Sequence, residues 1–183
     1  MIFKTIALSF LLLLIFWLTI FYVILVLGPI VTWFKKAPYV PSFGSYLKIM
    51  KQHLKLKKWA TIVDLGCGDG KALRFFSKEF GLQGIGYDLN PFVILYGRLI
   101  NRILGYSHIP LIVSDFKKAK LWAYDYIYLY LFPNQLASIE DWIFDRIIEN
   151  TIIISNSFVF AKHTPFDSID NNRGKKIIFL YKK

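Results

Sequence analysis

One short stretch limits the fold more than any other: Val63-Asp64-Leu65-Gly66-Cys67-Gly68-Asp69-Gly70. An apolar run, Thr61–Leu65, leads into it, and a segment of helical character, Lys71–Phe80, leads out and stops at Gly81. Glycines at a strand-to-helix turn let the backbone adopt positive φ and approach a ligand closely. Such turns sit at the open end of a sheet, where nucleotide-like ligands bind.

The rest of the chain after residue 37 alternates in the same way. The pattern predicts strands at Thr61–Leu65, Gly84–Asp88, Leu111–Val113, Tyr124–Leu131, Thr151–Ser155 and Lys176–Tyr181, with a further one at Ser157–Phe160. It predicts helices over Phe43–Leu56 (capped by Ser42), Lys71–Phe80, Pro91–Leu104 and Gln135–Ile148. Strand–helix alternation argues a parallel, doubly wound α/β sheet.

The N-terminus is of another character. No charged side chain occurs from Ile6 to Phe34, and Leu8–Leu27 is almost wholly apolar. About 20 apolar helical residues cross a bilayer core of roughly 30 Å, so the expectation is one transmembrane helix, ended or kinked at Gly28-Pro29. Lys35, Lys36 and the lysines from Lys48 to Lys58 follow it. That excess places the following domain on the cytoplasmic side and makes the lipid bilayer a partner, although the same lysines also fit a solvated helix face. The expected division is a membrane anchor with its basic flank at 1–36 and a catalytic domain at 37–183.

The net charge of +11 favours anionic partners. A single cysteine, Cys67, excludes a disulfide framework, and His53, His108 and His163 fall in no metal-ligand or triad spacing. No metal site is expected. Cys67 reads as a small loop residue, because a nucleophile would need a base beside it.

Charge decides what the glycine loop holds. A dinucleotide-binding turn reads G-x-G-x-x-G, with a pyrophosphate on the helix N-terminus. Here the third glycine comes one residue early, and Asp64 and Asp69 would repel a pyrophosphate. They suit a ligand carrying an ammonium and a sulfonium, namely S-adenosyl-L-methionine. Gly66, Gly68 and Gly70 then form its cradle. Asp88 can accept both ribose hydroxyls. Asp115 can accept from the adenine amino group, and Phe116 can pack on the ring. After the fourth strand, Tyr130, Phe132 and Pro133 are expected to line the methyl and acceptor pocket, since aromatic faces attract cations. Tyr128 reads as strand packing.

These residues carry a resemblance. Val63–Gly70, Asp88, Asp115 and the end of the Tyr124–Asn134 strand resemble the class I, seven-stranded S-adenosylmethionine-dependent methyltransferases. More narrowly, Pro38-Tyr39-Val40-Pro41-Ser42 before a helix, followed by Asp64–Lys71, is similar to the small protein-lysine methyltransferases, archaeal and membrane-anchored mitochondrial. The Ile177–Tyr181 ending is also similar. Phe43 replaces the second proline of the family's lead-in, Asp88 stands where the family usually has Glu, and His163-Thr164-Pro165 matches only loosely. The resemblance implies a Rossmann-like seven-stranded sheet, S-adenosyl-L-methionine as cofactor, and a protein lysine at or near the membrane as acceptor. Tyr39 of the lead-in joins the cofactor-binding set and can also line the acceptor site. A small-molecule or lipid acceptor and a non-catalytic cofactor-binding scaffold are the alternatives. Nucleic acid is not expected, because Leu131-Phe132-Pro133-Asn134 is unlike the Asn/Asp-Pro-Pro-Tyr motif of base-amino methyltransferases.

Overall fold

A computed structural model describes residues 2–34, 44–171 and 174–183. The chain divides into two compact units, Met1–Val40 and Pro41–Lys183. In the first, a single helix, α1, runs from Ile2 to Phe34 and continues through Gly28-Pro29 rather than ending there.

The expected single-pass placement, with the domain on the cytoplasmic side, is corrected here. Among the described residues no helix is long and apolar enough to cross a membrane. The lead-in at 38–42, with Tyr39, lies outside the described residues, as do Lys35 and Lys36.

The second unit is built on seven strands: β1 (Thr61–Leu65), β2 (Gln83–Asp88), β3 (Leu111–Val113), β4 (Tyr126–Leu129), β5 (Ile152–Asn156), β6 (Asp167–Asp170) and β7 (Lys176–Tyr181). They lie in the order β3-β2-β1-β4-β5-β7-β6. The first five are parallel, and β7 inserts antiparallel between β5 and β6. The sheet is therefore mixed, not wholly parallel. A chain returning from β6 to β7 by a short turn must reverse direction. The further strand expected at Ser157–Phe160 is loop; β6 comes ten residues later.

The helices are α2 (Gly44–His53), α3 (Lys71–Phe80), α4 (Pro91–Ile103) and α5 (Pro133–Phe144). Local chemistry sets their ends. Asn90 caps α4, its Oδ1 accepting from the backbone of Phe92 and Val93, and Pro91 occupies the first turn. Pro133 likewise starts α5, two residues before the expected Gln135, and Gln135 Oε1 accepts from the Phe132 N–H. The Tyr124–Leu131 run yields only four residues of strand. No α-helix links β3 to β4; two 3-10 turns, Phe116–Lys118 and Leu121–Ala123, do so instead.

Two apolar layers sandwich the sheet. One joins Met50, Leu73, Phe76 and Ile94 to the sheet, and the other joins Leu136, Ile139, Ile143 and Phe160 to it. Strands buried on both faces read as continuous apolar runs, and β1 and β4 are buried almost throughout. Tyr128 lies in this core, its hydroxyl accepting from Asn156 Nδ2 at 2.9 Å.

Candidate active site

Parallel strands bring their carboxyl ends to one edge. Asp64 sits opposite Gly86 on β2 and Tyr128 on β4, Asp88 opposite Val113, and Leu129 opposite Ser155. The turns that follow these positions gather the glycine loop, Asp88, Asp115, Tyr130 and Phe158 at that edge.

The loop is tightly tied. Gly66 and Cys67 donate their N–H groups to the Tyr87 carbonyl at 2.8 and 3.0 Å. Gly68 (φ 55°) and Gly70 (φ 76°) take left-handed backbone, which a β-carbon would disfavour. Gly68 donates to Asp88 Oδ2 at 2.9 Å, and Asn90 donates to Asp88 Oδ1 at 2.8 Å. A carboxylate has about four acceptor positions, so Asp88 can still accept from a ligand hydroxyl.

Asp64 is the unusual group. It is 2% exposed. Burial drives its pKa well above the carboxylate range, and the charges of Asp88 and Asp69 drive it further. A buried carboxyl facing two more carboxylates is relieved by a cation. Asp69 does not share that role, contrary to expectation. Its carboxylate forms an ion pair with Arg74 at 2.9 Å and accepts from the Lys71 N–H, while Arg74 also reaches the Asp69 carbonyl and Asn101. Asp69 thus braces the loop against α3 and α4. Cys67 is buried, and burial followed by the Asp64 charge raises its thiol pKa, so it is held as a thiol.

Asp115 caps the 3-10 turn after β3, its Oδ1 accepting from Lys117 N–H at 2.8 Å. Phe116 turns toward Trp142, with ring centroids 6.2 Å apart. Across the edge, Tyr130 stacks on Phe158 at 6.5 Å and 17°, and Phe132 lies 5.9 Å from the same ring. Nothing in the sequence pattern singles out Phe158. It follows Ser157, a non-glycine residue at φ 71°, which turns the chain back over the end of β5. Burial raises the Tyr130 pKa. Pro133 starts α5 and is exposed.

The sheet order and this loop define a class I S-adenosylmethionine-dependent methyltransferase. Residues 64–167, more than half of the chain, match the family described as the ANTKMT methyltransferase domain. The chain belongs to that family. It is 28% identical over 129 residues to an ATP synthase C-subunit lysine N-methyltransferase of Xenopus laevis, covering 70% of this chain and 56% of the relative. The human protein of the same description is 26% identical, with 70% and 54% covered. The chain thus spans about half the length of the curated relatives it matches. Among solved structures, it resembles an RNA methyltransferase from Salinibacter ruber in complex with S-adenosyl-L-homocysteine. That likeness has a TM-score of 0.71 at 19% identity, covering 78% of this chain and 93% of the other. A SAM-dependent methyltransferase from Thiobacillus denitrificans aligns with a TM-score of 0.56 at 19% identity, covering 72% and 55%. At these identities the two structures speak for the fold alone.

Proposed function

We propose that the chain is a protein-lysine N-methyltransferase, with its methyltransferase domain at 37–183. The observation that carries this reading is the aromatic cluster Tyr130–Phe158–Phe132 at the ends of β4 and β5. It stands two residues beyond the point where Tyr128 pairs with the buried Asp64. A cationic cofactor beside an aromatic-walled acceptor site is the arrangement that methylation of an amine requires. The curated relatives, named as lysine N-methyltransferases of the ATP synthase C-subunit, support the same acceptor class.

The residues present fit S-adenosyl-L-methionine. Asp64 offers a cation a buried carboxylate with the charges of Asp88 and Asp69 beside it. Gly66, Gly68 and Gly70 let the backbone approach, and Asp88 receives ribose hydroxyls. Asp115 and Phe116 take the adenine. When bound, the cofactor supplies a methyl group activated on a sulfonium.

The chain's own residues supply the rest. The aromatic rings of Tyr130, Phe132 and Phe158 form an apolar wall that disfavours an ammonium less than bare hydrocarbon would. An amine attacks only when neutral, and a desolvated site lowers its pKa. The Tyr130 phenol is uncharged at neutral pH, so its oxygen can accept from the amine without adding a negative charge that would favour the ammonium. Alignment of amine and methyl contributes about 7–11 kcal/mol in well-oriented reactions.

The test is transfer of labelled methyl from S-adenosyl-L-methionine by the purified full chain to a membrane-protein extract and to the purified ATP synthase C-subunit. Label on a protein, mapped to lysine by mass spectrometry, supports the reading. Label only in an organic extract would assign a small-molecule or lipid acceptor. Cofactor binding by calorimetry with no transfer to any fraction would leave a scaffold.

A further inference from the structure

Helix α4 is inverted relative to an ordinary surface helix. Its inward face is Ile94, Gly97 and Asn101, a mixture of apolar, small and polar groups. Its outward face carries Phe92, Leu95, Tyr96, Leu99 and Ile103, all more than half exposed, with Leu95 at 67% and Ile103 at 68%. At 3.6 residues per turn these five fall within an arc of about 100°. A soluble helix turns such a stripe toward a core; here the core side is already filled, and the stripe faces out.

Charge identifies what fits it. Arg98 and Arg102 lie along one flank of the stripe, and both are exposed. The Arg98 guanidinium also donates to the Leu111 carbonyl, fixing α4 to the open edge strand β3. From Leu89 to Tyr124 there are five basic side chains and one acidic, Asp115. Three of the five, Lys117, Lys118 and Lys120, follow β3 and are exposed, as is Trp122. A second copy of α4 would offer Arg102 no counter-charge, because the helix contains no acidic residue.

We infer that α4 docks on an anionic lipid surface, lying along it with the outward stripe in the acyl–headgroup boundary. An apolar stripe flanked by arginine, with exposed tryptophan nearby, is the composition of an interfacial helix. Thirteen residues rise only about 20 Å, so α4 lies on the surface and does not cross it. The stripe begins four residues beyond Asp88, so docking holds the carboxyl-end edge of the sheet near the lipid. The inference is independent of the methyl acceptor.

The experiment reads α4 itself, so binding elsewhere in the chain does not confuse it. Leu99→Cys in the full chain is labelled with an environment-sensitive fluorophore; Cys67, buried with a raised pKa, stays unlabelled. Vesicles of phosphatidylcholine with phosphatidylglycerol should shift the emission to the blue, and brominated acyl chains should quench it. Raising salt should weaken both effects, and Arg102→Glu should weaken the apparent affinity about tenfold. A label at Ser138→Cys, on α5, should change little. Absence of the shift, an equal shift with phosphatidylcholine alone, or a shift that follows protein concentration without vesicles would overturn the inference, the last pointing to self-association.

Discussion

Asp88 Oδ2 accepts the Gly68 N–H at 2.9 Å while its Oδ1 accepts from Asn90 at 2.8 Å, so one carboxylate joins the glycine loop to the start of α4. On the proposed reading, the residue that receives the ribose hydroxyls therefore also holds the glycine loop. Asp88→Asn keeps the shape but turns an amide donor toward one of these N–H groups. Hydrogen bonds to charged groups contribute about 1.5–3 kcal/mol. S-adenosyl-L-methionine affinity, read by calorimetry, should fall about 10- to 100-fold with the fold retained by circular dichroism.

Asp64 should give the protein without cofactor an unusual pH dependence. Its folded pKa is raised, so the folded state holds its proton where the unfolded state, near about 3.9, releases it. The stability contribution is full below the unfolded value and is lost as pH rises through the folded one. Asp64→Asn should remove that decline, raising the neutral-pH melting temperature of the unliganded protein while weakening cofactor binding at least tenfold. Thermal melts from pH 4 to 8, with and without cofactor, check both halves; a variant that binds as tightly as the parent would sink the assignment of Asp64 to the cofactor's cation.

How much of this was legible beforehand depends on the range of the interactions. β1, α3, β3 and β7 match their expected bounds, because buried apolar runs and a terminal glycine are local signals. β6, Asp-Ser-Ile-Asp, escaped because an edge strand with one buried side chain, Ile169, has almost no pattern. The long aromatic run around β4 overstated that strand, since Tyr124 and Tyr130 are packed by neighbours outside the ladder. The acidic residues at three strand ends could be read in order. Phe158 could not, because its place beside Tyr130 follows from β4–β5 pairing and from the turn at Ser157. Asp69 is equivalent to Asp64 in the sequence alone; only the folded chain brings Arg74, about one helical turn on, against it.

Glu140 is wholly buried, and its two oxygens receive the backbone N–H groups of Ala161, Lys162 and His163 together with His163 Nδ1. Burial alone would raise its pKa, but the hydrogen bonds from His163 and the three amides outweigh burial and lower it. Its stabilisation is therefore present above about 4.3 and lost as pH falls through the lower folded value. Glu140→Gln should cost about 2 kcal/mol at neutral pH. That is a drop of about 4–8 °C in a thermal melt, and the variant should melt with a weaker dependence on acid.

Gly97 shows how closely α4 approaches the loop. A β-carbon there would sit 2.5 Å from the Asp69 carbonyl oxygen and 2.7 Å from Leu111 Cδ1. A backbone oxygen cannot rotate away as a side chain can, so the loop must shift. Gly97→Ala should cost about 1–3 kcal/mol by overpacking and should weaken cofactor binding, although Gly97 belongs to neither the loop nor the expected site. Unchanged affinity alongside a lowered melting temperature would mean that the helix moves instead of the loop.

The aromatic cluster is separable from the cofactor site, which gives the last test its force. Phe158 packs on the rings of Tyr130 and Phe132. Removing its ring forfeits two aromatic contacts, each worth about 0.5–1.5 kcal/mol, and admits water beside the attacking amine. Phe158→Ala should leave cofactor affinity within about twofold while lowering kcat/KM for a lysine acceptor about 10- to 100-fold. Phe158→Tyr keeps the ring and should recover most of that loss. Calorimetry with S-adenosyl-L-methionine and labelled-methyl kinetics on the acceptor found by mass spectrometry separate the two effects. Equal loss in both would make Phe158 a support of the fold, and loss in neither would place the acceptor away from the ends of β4 and β5.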